Sequence, residues 1–173
     1  MSGTRWLSDD EQSVWREFST AVDMLRGHVE SQLQRDARMP STYYDVLVRL
    51  SEAPDRTLRM SELAERSRSS RSRLSHAVAR LEENGWVRRE HCATDKRGAF
   101  ATLTPAGFAA LEAAAPGHVE AVREALFDPL TPEQVRQLGE ISAAIRDRLT
   151  PRCAAAMAEQ DAAESASEAA EVR

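Results

Sequence analysis

The stretch from residue 61 to residue 103 constrains the fold of this chain more than any other. Asn84-Gly85 ends a helix within it, because glycine tolerates the left-handed geometry at a helix C-terminus. Ser61 is expected to cap the helix before that one. In order, the stretch contains a short helix (61–66), a polar turn (67–70), a second helix, and two strands of a hairpin (86–90 and 99–103). This order predicts a winged helix-turn-helix.

Two long amphipathic helices are predicted on either side of this unit. Ser8 and Glu11 form a capping box at the start of the first, which covers about residues 8–38. Its apolar stripe is too long and continuous for one small lobe to cover, so pairing with a helix near the C-terminus across a two-fold axis is expected. A monomeric bundle is also compatible with the pattern. The two stripes are Trp15, Phe18, Val22, Leu25, Val29 and Leu33, and Val135, Leu138, Ile141, Ile145 and Leu149.

The remaining segments complete a mainly helical chain. A second helix ends before Pro54, residues 58–60 are a short extended piece, and a further helix has Pro105 as its first residue. Pro116 is expected to kink or split this helix. After Pro151, alanine and glutamate dominate without an apolar stripe, so the tail is predicted to be disordered or only loosely helical.

The predicted fold class is therefore mainly α with a small β-hairpin wing. We expect a single domain over residues 1–150, with a winged helix-turn-helix lobe at 40–103 between dimerisation helices at 8–38 and 104–149. Residues 151–173 are the Ala/Glu-rich tail.

Charge is distributed unevenly along the chain. The formal net charge is -5, yet residues 56–97 carry 11 basic and 6 acidic side chains, while the flanking segments together are strongly acidic. A basic block between acidic ones is expected where one part of a chain faces phosphate. A solvated surface of uneven charge is the alternative.

The helix that begins near Ser70 is the candidate for the DNA major groove. Arg73 is the first choice for base recognition, because its guanidinium can donate two hydrogen bonds to guanine. Arg71 and Arg80 are better suited to phosphates, which fix position rather than sequence. No acidic residue lies between residues 66 and 81. The candidate DNA-binding residues of this helix are Arg71, Ser72, Arg73, Ser75, His76 and Arg80.

The loop between the two hairpin strands is the second candidate for DNA contact. Lys96 and Arg97 give it positive charge, and Asp95 could hold Arg97 by an ion pair. An arginine on a thin loop can enter the narrow minor groove, where the negative potential is strong. An ordinary exposed hairpin is the alternative.

Several function classes find no support in the sequence. The chain has no run of about 20 apolar residues and no secretory signal pattern at its start. Cys92 and Cys153 are isolated, which indicates a reducing cytoplasm, and the four histidines have no metal-ligand spacing. No phosphate-binding glycine motif, nucleophile elbow or zinc-protease motif occurs. We therefore expect a cytoplasmic protein that is not an enzyme and uses no cofactor or metal.

Three successive motifs resemble signatures of the MarR family of bacterial regulators. They are Leu81-Glu82-Glu83-Asn84-Gly85-Trp86-Val87-Arg88-Arg89, the loop Asp95-Lys96-Arg97-Gly98, and Leu103-Thr104-Pro105-Ala106-Gly107. The resemblance implies a homodimer that binds double-stranded DNA at a palindromic site. It also implies repression that a small aromatic or anionic effector relieves, with the ligand between the dimer helices and the DNA-binding lobe.

Candidate ligand-binding residues are Trp15, His28, Tyr43 and Tyr44, although each is more simply explained as core or dimer interface. Two alternative functions remain open at this point. One is a winged-helix module that binds protein. The other is a redox-sensing regulator acting through Cys92, because neighbouring basic residues favour a thiolate.

Overall fold

Six α-helices and a three-stranded sheet make up residues 3–91 and 99–171, the part of the chain that the computed structural model describes. A 3₁₀ turn, Pro54–Arg56, precedes the first strand, and a π-helical turn, Arg123–Phe127, follows the fifth helix. The elements are α1 (Asp9–Ala37), α2 (Ser41–Ser51), β1 (Thr57–Arg59), α3 (Met60–Arg66), α4 (Arg71–Glu83), β2 (Val87–His91), β3 (Ala99–Leu103), α5 (Pro105–Val122) and α6 (Pro132–Glu171).

A single apolar core joins α2, α3, α4, the sheet and the first half of α5. The face of α4 that the apolar spacing predicts, with Leu74, Val78 and Leu81, is buried in this core. Burial of each such side chain contributes about 2 kcal/mol. The other principal members are Met39, Val46, Leu47, Leu50, Leu58, Leu63, Val87, Ala101, Leu103 and Leu111.

The sheet has the antiparallel order β1-β3-β2. The predicted hairpin corresponds to β2 and β3, in which Val87 lies opposite Leu103. The extended piece predicted at 58–60 is β1, which adds a third strand beside β3, with the Thr57 and Thr102 hydroxyl oxygens 2.9 Å apart. The prediction that Ser61 caps α3 is wrong. The helix begins one residue earlier, at Met60, and no side chain caps it.

The junction between α4, the hairpin and α5 explains the Leu-Thr-Pro-Ala-Gly motif. Gly85 follows α4 with φ at 71°, the left-handed geometry that a glycine adopts without strain. The Thr104 hydroxyl caps α5 by accepting from the Gly107 N–H at 3.0 Å, and it lies 2.7 Å from the Gly85 carbonyl oxygen, to which it donates. A Cβ at Gly107 would overlap the Trp86 carbonyl oxygen and lie 2.8 Å from the Leu103 side chain. The glycine thus permits α5 to start directly against the turn.

Two helices differ from the sequence predictions. α5 continues as one helix through Pro116, so the predicted split does not occur there; the π-helical turn comes later, after Val122. α6 continues to Glu171, although residues 151–173 were predicted to be disordered or only loosely helical. Alanine and glutamate are strong helix formers, which accounts for a helical backbone without an apolar face.

α1 and α6 leave much of their apolar surface exposed. α1 starts with the predicted capping box of Ser8 and Glu11, but only Gln32 and Leu33 near its end are fully buried. Trp15 is 59% exposed and Ile141 is 57% exposed. The predicted stripes therefore exist as helix faces that the chain covers only in part. Leu33 is buried, whereas Trp15, Phe18, Ile141, Ile145 and Leu149 stay exposed.

Candidate DNA-binding interface

The turn between α3 and α4 presents α4 on the surface of the lobe. The Ser69 N–H donates to the Ala64 carbonyl at 3.0 Å, with Arg68 in the left-handed region at φ 48°. The buried Ser70 then caps α4, its hydroxyl accepting from the Arg73 N–H at 3.4 Å. Because Leu74 and its partners on α4 point into the core, the opposite face of the helix is left for solvent.

This outer face carries four of the predicted DNA-binding residues. Arg71, Arg73, His76 and Arg80 are exposed, and Ser72 is partly exposed. Arg73 has no ion-pair partner among the described residues, so its guanidinium donors are available to a ligand. The helix N-terminus beneath it also favours an anion, because its first N–H groups point outward.

Ser75 is placed differently from the other residues of this set. The Arg89 guanidinium, from β2, donates to the Ser75 carbonyl oxygen at 3.1 Å and to its hydroxyl at 3.4 Å. Ser75 therefore connects α4 to the sheet. Sequence reasoning missed Arg89, which belongs to the Leu-Glu-Glu-Asn-Gly-Trp-Val-Arg-Arg motif but carries no signal of its partner.

Carboxylates just outside the acid-free stretch partly neutralise its arginines. Arg80 donates to Glu83 at 2.7 Å, and this hydrogen bond raises the pKa of Arg80. Arg66 donates to Glu62, also at 2.7 Å. These pairs follow from helical spacings of three and four residues. Both are largely exposed, so each holds its arginine only weakly.

The loop predicted to enter the minor groove falls outside the described residues. This applies to Asp95, Lys96 and Arg97, and also to Cys92, the predicted redox site. The strands that lead to the loop are described. Arg88 of β2 is exposed and pairs with Glu90 at 3.0 Å.

A cleft of about 1050 Å³ lies between α2 and α4. Of the four predicted ligand residues, Tyr43 lines this cleft, whereas Tyr44 packs against His118 of α5 with ring centroids 4.4 Å apart. Trp15 and His28 lie exposed on α1, away from the lining. Sequence reasoning did not find the arginines of the lining, which are Arg26, Arg49, Arg68, Arg73 and Arg80. Asp45 and Glu83 also line the cleft and pair with Arg49 and Arg80.

A metal site and a membrane-spanning helix are both absent from the described ranges, 3–91 and 99–171. No group of three or more histidine, cysteine, aspartate or glutamate side chains within them could hold a metal ion. None of the helices described there is both long and apolar enough to cross a membrane.

Comparison with known proteins agrees with this architecture. Sco3205, a MarR family transcriptional regulator from Streptomyces coelicolor that was crystallised in complex with DNA, is 57% identical in sequence. Its structure superposes with a TM-score of 0.82 over 84% of this chain and 92% of Sco3205. The chain belongs to the MarR family. AbsC, a MarR family regulator from the same organism, is 40% identical, with a TM-score of 0.79 over 84% of this chain and 98% of AbsC.

Two further comparisons concern shorter stretches of this MarR-family regulator. A sequence profile of the MarR family matches residues 39–98. The transcriptional repressor YetL of Bacillus subtilis is 34% identical over 101 residues, which cover 57% of this chain and 60% of YetL. The chain thus spans less than two thirds of that curated relative. The predicted fold class, a winged helix-turn-helix lobe with long flanking helices, is confirmed.

Proposed function

We propose that this MarR-family regulator binds double-stranded DNA through α4 and represses transcription. The observation that carries the proposal is the outer face of α4. Arg73 is exposed there, two residues into the helix, and has no ion-pair partner in the described part of the chain. A guanidinium in this place can donate two hydrogen bonds to a guanine edge in the major groove. The DNA complex of Sco3205 supports the same partner for this chain.

The DNA-binding set of the proposal is the one predicted from the sequence, with two roles. Arg73, His76 and Ser72 are assigned to bases, while Arg71 and Arg80 are assigned to phosphates. Ser75 is not assigned to a contact with DNA; it contributes to DNA binding through its contact with Arg89. Asp95, Lys96 and Arg97 are assigned to the minor groove from their sequence alone.

The protein acts as a homodimer in this proposal. α1 and α6 leave large apolar side chains exposed, among them Trp15, Phe18 and Ile141, and a second copy would cover them. The domain then has the predicted organisation, with the lobe at 40–103 between helices at 8–38 and 104–149. Two copies of α4 related by a two-fold axis would lie about 34 Å apart, one turn of DNA, and bind a palindromic operator.

The cleft between α2 and α4 is the proposed site of an effector. Its lining combines Tyr43 with five arginines against two carboxylates, Asp45 and Glu83, so it is positive on balance and suits a small aromatic or anionic molecule. Arg73 lines the cleft and also belongs to the DNA face. An anion bound there would compete with DNA for this guanidinium. Such a regulator is a cytoplasmic, non-enzymatic protein that needs no cofactor.

The test is selection of duplexes by the purified chain from a randomised library, followed by fluorescence anisotropy over a salt series. We expect enrichment of a palindrome and affinity that falls steeply with salt, because bound phosphates release counterions. A shuffled duplex of the same composition is the control. Equal binding to selected and shuffled duplexes would refute the proposal and favour a winged-helix module that binds protein. A loss of DNA affinity on mild oxidation that does not occur in the Cys92→Ser variant would favour the redox alternative.

A further inference from the structure

Arg89 of β2 connects the second strand of the lobe to the middle of α4. Its guanidinium reaches the Ser75 carbonyl oxygen at 3.1 Å and the Ser75 hydroxyl at 3.4 Å. Its backbone N–H donates to a Glu82 carboxylate oxygen at 2.9 Å, and its Nε lies 3.3 Å from the other oxygen, an ion pair without hydrogen-bond geometry. We call these contacts among Ser75, Glu82 and Arg89 the Arg89 bridge.

The Arg89 bridge is more buried than the neighbouring ion pair between Arg80 and Glu83 at the end of α4. The side chains of Arg89 and Glu82 are 24% and 34% exposed, whereas those of Arg80 and Glu83 are 65% and 62% exposed. A pair shielded in this way is screened less by salt and holds its geometry better. The planar guanidinium, with several donors in a fixed arrangement, is suited to bridging two elements at once.

The bridge joins the two parts of the lobe that are assigned to the grooves of DNA: α4 to the major groove, and the strand β2 that precedes the loop assigned to the minor groove. α4 carries Arg73 on its outer face, and β2 leads directly into the loop with Lys96 and Arg97. Val87 of β2 is buried in the same core as Leu74 and Val78 of α4. The bridge adds directional contacts farther along the strand, at Arg89, towards the loop.

We infer that Arg89 is a positioning residue for DNA binding, which fixes the angle between the recognition helix and the wing without contacting DNA. This inference rests on the proposed function. Because both grooves are engaged together, a wing that pivots on α4 loses contacts that a rigid one makes. The bridge thus holds β2, the strand that leads to the loop, in one orientation on α4.

Glu82 provides a test in which charge and positioning predict opposite signs. Removal of an acidic side chain near a DNA-binding face favours DNA binding on electrostatic grounds alone. The Arg89 bridge predicts the reverse for Glu82→Ala, with DNA affinity about tenfold weaker. Glu83→Ala is the matched control, because it removes the same charge from the next residue and releases Arg80. We expect the affinity of this control to be unchanged or higher.

Substitutions of Arg89 separate positioning from direct phosphate contact. If Arg89 bound phosphate, Arg89→Lys would retain most of the affinity, since lysine keeps the charge. The bridge predicts that Arg89→Lys loses nearly as much affinity as Arg89→Ala, because one ammonium cannot serve both Ser75 and Glu82. Glu82→Gln is the variant to use if Glu82→Ala does not fold, because its amide oxygen can still accept from the Arg89 N–H. It should weaken binding in the same direction.

The measurements are anisotropy with the duplex selected by the unaltered protein, and amide hydrogen exchange of residues 87–91 without DNA. Faster exchange together with weaker binding in Glu82→Ala, and neither in Glu83→Ala, is the expected result. Equal affinities of the two alanine variants, with selective binding by the unaltered chain, would overturn the inference alone. No selective binding by the unaltered chain would overturn the proposed function and the inference with it.

Discussion

The winged-helix lobe and the long helices show the same apolar periodicity and opposite outcomes. In α4 the side chains at steps of three and four, such as Leu74 and Val78, are almost fully buried. In α1 and α6 comparable stripes include Trp15 and Ile141, each more than half exposed. Helical spacing creates an apolar face in both regions. Whether that face is buried depends on whether other helices or strands of the chain pack against it.

The two regions differ in how their apolar faces are covered. The lobe closes its own core from four helices and a sheet, so its surface can be polar and can carry arginines. The long helices α1 and α6 contribute little to that core: Ala37 at the end of α1 packs against it, and Leu33 is buried outside it. Their exposed apolar faces are consistent with a partner copy. Four changes test this division, beginning with the largest expected effect.

Acidic substitution on the exposed face of α6 should dissociate the proposed dimer. Ile141→Asp combined with Ile145→Asp places two carboxylates on that face, which a closed apolar interface cannot accept without a large desolvation cost. We expect a shift from dimer to monomer mass in analytical ultracentrifugation, and loss of tight DNA binding. Thr150→Asp, about 180° around the helix from Ile141, is the control. An unchanged mass for the double variant would contradict the proposed interface.

Gly107→Ala should destabilise the lobe at the junction of α4, the hairpin and α5. The added Cβ would overlap the Trp86 carbonyl oxygen, and backbone cannot move aside as a flexible side chain can. We expect the free energy of unfolding to fall by about 3 kcal/mol, measured by chemical denaturation. Gly139→Ala in α6 meets no atom within 4 Å, so its stability should stay equal or rise. A neutral effect at Gly107 would show that the junction repacks.

Arg73→Ala should weaken binding to the selected duplex and relax its base preference. A lost bidentate contact to guanine costs about 1–3 kcal/mol, and the fold should stay intact because the side chain is exposed. Arg97→Ala should also weaken binding without lowering Tm. Arg146→Ala removes the same charge from α6, where the side chain pairs with Asp147, and serves as the control. If Arg73→Ala and Arg146→Ala bind alike, α4 is not the recognition helix.

The smallest expected effect is a pH dependence at the contact between α5 and the lobe. Burial lowers the pKa of His118, whose ring packs on Tyr44. Because its pKa is lower in the folded chain than in the unfolded one, this histidine stabilises the fold above about pH 6.5, and that contribution is lost as pH falls below it. We expect Tm to drop between about pH 7.5 and about pH 5.5.

Substitution of His118 identifies its share of that pH dependence. His118→Phe keeps a ring against Tyr44 but cannot be protonated, so the decline of Tm towards acid should be shallower. His76→Phe, at an exposed position of α4, should leave the decline as it is in the unaltered chain. Equal slopes for the unaltered chain and His118→Phe would mean that other groups cause the pH effect.

Much of this molecule is encoded in short stretches of its sequence. The capping residues Ser8, Ser70 and Thr104, the glycine after α4 and the apolar spacing locate the helices and strands, because each acts within a few residues of the chain. The basic block likewise predicted which surface would be positive. These features follow from local geometry and composition, so they can be inferred before any fold is known.

Other features depend on residues that are distant in sequence, so they could not be inferred until the packed structure was known. Examples are the third strand at residues 57–59, which pairs with β3, and the Arg89 contact with Ser75, 14 residues earlier in the chain. The cleft beside Tyr43 also needs α2 and α4 in place. Pairing and packing across the chain are set by the whole core rather than by any one segment. For that reason the position of α4 and its positive charge could be inferred from the sequence, whereas the packed structure was needed to show which of its polar residues face outward and which contact β2.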